Sequence, residues 1–171
     1  MHKLFFILFL NFFSLLTLHA SESILATLSN ISSNSVQEFS LSQTRFLCRS
    51  YGVLTLEELS QNAKFNSVCQ ESIKVFYLKY PNLEQYAQQK LKIMQKYKIE
   101  FREGRCILYA NGQESYSELL LKNGLAVLKP VFMDKEFRYT YNKAQKNAKL
   151  LKKGIWAEAI IHNCMESLYK K

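Results

Sequence analysis

Between Cys106 and Glu158 the hydrophobic period changes repeatedly from strand to helix, and each change carries its own turn or cap signal. Cys106-Ile-Leu-Tyr109 reads as a strand, and the Asn111-Gly112 pair behind it is a tight turn, because both residues tolerate positive φ. Ser115 or Ser117 is placed to cap a short helix that Gly124 ends at a left-handed position. Leu125 to Phe132 predicts a last strand, with Pro130 requiring an edge or a bulge. Asp134 to Lys153 predicts a lysine-rich helix with Phe137, Tyr141, Ala144, Ala148 and Leu151 on one side.

Upstream, Ile24 to Leu28, Val36 to Leu41 and Arg45 to Val53 alternate as three strands of a meander, separated by Ser/Asn clusters. Thr55-Leu-Glu-Glu58 has the form of a capping box and starts a helix. Asn82 after Pro81 caps another, carrying Leu83, Tyr86, Ala87, Leu91, Met94 and Tyr97 at helical spacing. Lys98 to Phe101 is a strand, and Arg102 to Arg105 a hairpin turn into Cys106. The class is α+β. Five strands with a helix between the third and fourth and a helix at the end describe an oligonucleotide/oligosaccharide-binding (OB) barrel.

Met1 to Ala20 has a lysine, an apolar run and a short polar exit, the pattern of a cleaved secretory signal peptide. The 171 residues less these 20 leave 151, one domain, exported to the periplasm or beyond and not held in a membrane. The formal charge of +9 falls by one, the charge of Lys3, to +8, which favours acidic partners such as nucleic acid. Cys48, Cys69, Cys106 and Cys164 form no Cys-x-x-Cys pair, and His162 is the only histidine after the leader, so zinc is disfavoured and two disulfides are expected. Three connectivities are possible; Cys48 with Cys69 and Cys106 with Cys164 would tie an insertion and the tail to the sheet. Nucleophile elbows, phosphate loops and metalloprotease helices are missing, and one histidine excludes most histidine triads. Phosphodiester cleavage needs only cations for the developing charge and a carboxylate for water.

Tyr109-Ala-Asn-Gly112, the segment Glu118 to Ala126 and Lys153-Gly-Ile-Trp-Ala-Glu158, in that order, resemble the C-terminal half of the staphylococcal nuclease family. Arg49 on the third strand, Thr55 six residues later and Glu57 two beyond match the family's spacing, with Val53 in the matching apolar place. The resemblance implies a monomeric domain from residue 21 to 171, with an insertion around 60–80 pinned through Cys69. It implies an endonuclease that hydrolyses DNA or RNA with little sequence preference. Arg49 would bind the scissile phosphate and Glu57 would position water. Arg105, two strand positions nearer the turn than the family's second arginine but on the same face, would complete the clamp, with Arg102 in reserve. Thr55, Lys129 and Phe132 would contact substrate, Phe132 and Pro130 standing near the family's stacking tyrosines. The family's calcium-binding aspartates correspond to Asn34 and Leu54, so the site for a divalent cation, calcium or magnesium, is either gone or keeps Asn34 and Thr55, rebuilt with Glu57 and backbone groups. The alternative is an inactive OB module that binds nucleic acid or another polyanion in the cell envelope. The lysines from Lys143 to Lys153 are expected to be the solvated face of a packing helix, and Trp156 a core or capping aromatic.

Overall fold

The computed structural model describes residues 23–158 and 160–164; the expected leader lies outside them. Strands β1 (Ser23–Ile31), β2 (Val36–Leu41) and β3 (Thr44–Arg49) form the antiparallel meander. The free edge of β1 takes β5 (Lys96–Arg102), which pairs in turn with β6 (Arg105–Asn111). One parallel bridge between Ser50 and Cys106 joins the end of β3 to β6 and closes the OB-type barrel. Its interior is filled by the inward residues of each strand, among them Ala26, Leu28, Phe39, Ile99 and Ile107, all essentially without solvent contact. The fold class is thus α+β, as expected.

Arg45 to Val53 is not one strand. The chain turns at Gly52, whose φ is +74° and whose missing Cβ would stand 2.6 Å from the Phe132 ring. A side chain there would be strained twice over, by backbone and by contact. After the turn β4 (Val53–Thr55) pairs with β8 (Ala126–Leu128) in a second, two-stranded sheet. Strand β8 is shorter than the expected run to Phe132 because the chain turns where Phe132 N–H donates to the Lys129 carbonyl.

Thr55 and Glu58 form the full capping box of α1 (Leu56–Asn62). Helix α2 (Ser67–Lys79) follows, capped by Asn66. Asn66 also donates to the Asn163 carbonyl, and Asn163 to the Ser72 hydroxyl, so α2 lies along the C-terminal helix α7 (Ile160–Asn163). That packing brings Cys69 to Cys164, and these two are disulfide-bonded. The expected pairs Cys48 with Cys69 and Cys106 with Cys164 are therefore overturned, because Cys48 and Cys106 face the barrel core at its seam.

The helical spacing from Leu83 to Tyr97 resolves into α3 (Pro81–Glu84) and α4 (Tyr86–Lys90), with Leu91 extended and Tyr97 in β5. Two bonds divert the chain: Met94 N–H donates to the Leu28 carbonyl and Leu28 N–H to the Gln95 carbonyl, so pairing with β1 captures the residues that would have continued the helix. The break between α3 and α4 is bridged by the buried Asn34, which donates to the Leu83 carbonyl and accepts from the Ala87 N–H, both at 2.8 Å.

Ser115, the last residue of β7 (Glu114–Ser115), caps α5 (Tyr116–Lys122). Ser117 instead donates to the Tyr51 carbonyl. Gly124 has the left-handed conformation expected of it. Helix α6 (Lys135–Leu150) packs on α5 through Phe137, Tyr141, Ala144 and Ala148, while Leu151, just past its end, is exposed.

Asn34→Ala would leave a buried N–H and a partly buried carbonyl without partners, each costing about 1–3 kcal/mol. Urea unfolding should show a loss of roughly 2–6 kcal/mol with an unchanged m-value.

Candidate functional site

The turn at Gly52 and the loop from Lys129 to Asp134 touch, the Lys129 N–H donating to the Gly52 carbonyl at 3.0 Å. Together with α1 and the β5–β6 hairpin they line a cleft of about 830 Å³, whose walls include Arg49, Glu58, Glu103, Arg105, Lys129 and Asp134. A cavity of that size is in the range that holds a nucleotide-sized ligand. The barrel seam positions its two arginines. Arg49 is the last residue of β3 and is exposed, with no ion pair among the described residues. Arg105 opens β6, and its Nη1 donates to the Ser50 carbonyl at 3.1 Å and to Glu58 Oε1 at 2.7 Å.

The capping box explains why Glu58 is the carboxylate that meets Arg105. Its Oε2 accepts the Thr55 N–H at 3.1 Å, which folds the side chain back over the start of α1 and turns Oε1 towards the seam. Glu57, one residue earlier, points the other way. Its Oε1 accepts from the Tyr77 hydroxyl at 3.2 Å, while Oε2 is sealed from solvent with no partner among the described residues. Burial raises its carboxyl above the usual range, against the opposing effect of nearby donors. The expected trio of Arg49, Glu57 and Arg105 is therefore not brought together; Arg49, Glu58 and Arg105 are. The capping-box motif was the signal that could have separated the two glutamates.

Lys129 is half-buried on the cleft wall, and desolvation, then the Arg105 charge, hold its ammonium below the usual lysine range. An anion in the cleft would relieve both effects. Phe132 lines the cleft but is packed, stacked on Tyr141 with ring centroids 5.6 Å apart and edge-on to Tyr51 at 5.4 Å. Its neighbours Val131 and Met133 are exposed at the rim. Arg102, the reserve arginine, is engaged elsewhere: it bonds Asp134 at 2.8 Å and Glu136 at 2.6 Å, tying the hairpin to the start of α6. Asp134 also accepts from the Tyr51 hydroxyl at 3.0 Å. Burial would raise the Asp134 carboxyl, but the Glu136 N–H, Tyr51 and Arg102 outweigh it and hold the group below its ordinary value. Burial, then Asp134, push Tyr51 up to about 12, so it remains a neutral donor.

The residues that correspond to a calcium site do not fit a divalent cation, which needs several free oxygen ligands, preferably charged. Both polar ends of Asn34 are used by Leu83 and Ala87. Thr55 Oγ1 accepts the Glu58 N–H, shares a bond with the Ser35 hydroxyl and is fully buried. Leu54 has no ligand atom, and no cluster of three or more His, Cys, Asp or Glu side chains that could hold a metal ion occurs among the described residues.

The Glu57 geometry sets a pH dependence. With its folded pKa raised, the folded state keeps this proton to higher pH than the unfolded chain, so its stabilising contribution is complete below the unfolded value near ~4.3 and is lost as pH rises through the folded one. Urea midpoints measured between about pH 4 and pH 8 should show wild type losing ground to Glu57→Gln as pH rises. Parallel profiles would contradict the placement of Glu57.

Residues 79–158 match the model of a family described as staphylococcal nuclease homologue. No curated protein matches the chain. The matched stretch runs from the end of α2 through the second half of the barrel to α6 and the turn after it, and it includes Arg105 and Lys129; Arg49 and Glu58 precede it. A nuclease-like or nucleic-acid-binding role follows from that match, and the cleft on the OB barrel holds Arg49, Arg105 and Lys129 beside Glu58, Glu103 and Asp134. Over residues 79–158 the chain is similar to the staphylococcal nuclease homologue family.

Proposed function

We propose that the chain is an exported nuclease that hydrolyses DNA or RNA phosphodiesters with little sequence preference, in the cleft between Arg49 and Arg105 and with Glu58 as its carboxylate. One observation carries the reading: two guanidinium groups and a carboxylate converge on one nucleotide-sized cleft. Arg105 uses only Nη1 for its bonds to Ser50 and Glu58, so Nη2 and Nε are the donors it would offer to phosphate oxygens. Arg49 supplies the second cation, and both would stabilise charge that builds on the phosphoryl oxygens in the transition state. Each Glu58 oxygen accepts one bond in the structure and keeps a second lone pair, enough to orient or deprotonate an attacking water. Lys129 would neutralise a neighbouring phosphate. Bases would meet the apolar rim at Val131 and Met133, contacts that read no hydrogen-bonding edge and so give little sequence preference.

A second reading is favoured by the occupied state of Asn34 and Thr55. If the lost cation site was indispensable to turnover, the same cleft would hold nucleic acid without cutting it.

Hydrolysis of single-stranded DNA and of RNA separates the two. The nuclease reading expects cleavage in chelator as well as in calcium or magnesium. Glu58→Gln should lower kcat by about 10²–10⁴-fold with binding kept, Arg49→Ala and Arg105→Ala should lower kcat/KM by about 10²–10³-fold, and Glu57→Gln should stay near wild type. Salt-sensitive binding with no cleavage under any condition would establish the second reading.

A further inference from the structure

Cys48 and Cys106 are free, and both are buried. They lie on the two strands that meet at the barrel seam. Ser50 is bridged to Cys106, and the Tyr51 N–H donates to the Cys106 carbonyl at 3.0 Å. Cys48 is two residues before Ser50, so its side chain leaves β3 on the same face, towards the core. The thiols also feel each other: burial and then Cys106 push the Cys48 thiol up, while a hydrogen bond from Cys48 draws the Cys106 thiol down.

We propose that Cys48 and Cys106 are a redox-active pair that closes into a second disulfide across the barrel seam and fixes the spacing of the arginines beside them. Cys48 is followed by Arg49 and Cys106 is preceded by Arg105, so the cross-link would staple the strands directly behind the cleft. With Cys69 joined to Cys164, the two loops interlock, since Cys69 lies between Cys48 and Cys106 in the chain.

The reaction is thiol–disulfide exchange with an external disulfide, either a small molecule such as oxidised glutathione or an exported dithiol oxidant. The Cys106 thiolate attacks one sulfur of the oxidant, forms a mixed disulfide and expels the other sulfur as thiolate. The Cys48 thiolate then attacks Cys106 Sγ, forms the Cys48–Cys106 bond and expels the second thiolate. The two protons lost by the cysteines go to the expelled sulfurs, and the oxidant leaves as two thiols. Because both sulfurs are buried, the exchange takes place during folding or while the seam is open.

The consequence for cleavage rests on the proposed nuclease reading; the cross-link itself does not. The test is a peptide map of the mature chain refolded in oxidised and reduced glutathione, alkylated, unfolded and digested with trypsin. Each cysteine falls in its own tryptic peptide, with Cys48 in 46–49 and Cys106 in 106–122. The expected result is these two peptides joined, lighter than their sum by two hydrogens, beside the Cys69–Cys164 pair. A Cys69→Ser/Cys164→Ser variant should still gain roughly 5–15 °C in Tm on oxidation, and should lose the gain when Cys48 and Cys106 are also replaced. Recovery of Cys48 and Cys106 as separately alkylated peptides after oxidation, or paired with other cysteines, would overturn the proposal. The map decides on the wild-type chain even if the variants do not fold. Absence of cleavage in both redox states would sink the nuclease reading while leaving the cross-link standing.

Discussion

The closure of the barrel between β3 and β6 is the constraint on which the rest depends. Most of the sheet is an antiparallel ladder that local hairpins can assemble, but the seam is a parallel contact between residues far apart in sequence. Such contacts carry a loop-closure cost that only long-range packing can offset. It is met here by one bridge, the Tyr51 N–H to Cys106 carbonyl bond, the Arg105 bond to the Ser50 carbonyl, and the burial of Cys48, Tyr51 and Cys106. Arg105 therefore belongs to the structural seam and to the cleft at once.

From that seam the division of polar labour follows. The polar residues singled out from the sequence fall into two groups according to whether their hydrogen-bonding capacity is already used. Asn34, Thr55 and Arg102 are used: the first joins two helices, the second caps α1, and the third ties the β5–β6 hairpin to α6. Arg49 and Lys129 have no ion pair among the described residues, and Arg105 keeps part of its guanidinium for a ligand. A phosphate is the ligand that suits planar cations at the mouth of a barrel, because it pairs with guanidinium in two places and needs no deep enclosure.

Much of this was legible in the residues. Asn111-Gly112, Ser115, Gly124 and the face carrying Phe137, Tyr141, Ala144 and Ala148 gave the turn, the caps and the packing of the C-terminal half, because each acts through local backbone chemistry. Arg49 and Arg105 were singled out by the family resemblance, and both line the cleft. What escaped depends on partners distant in the chain. The helical spacing up to Tyr97 was a true period, but pairing with β1 took Lys96 onward into the sheet. The cysteine pairing turned on how α2 lies along α7, which no local pattern encodes. Glu57 and Glu58 are adjacent acids, and only the return of Glu58 to the Thr55 N–H decides which one faces the cleft.

The central claim, that the cleft is built to hold phosphate, is tested most directly by the salt dependence of binding to a short single-stranded DNA. Fluorescence anisotropy across a range of salt, with wild type, Arg49→Ala and Arg105→Ala, yields the slope of log affinity against log salt. The account predicts that each substitution makes the slope shallower by about one unit, the signature of one lost phosphate contact. Unchanged slopes in both variants would mean that the phosphates bind elsewhere on this basic chain.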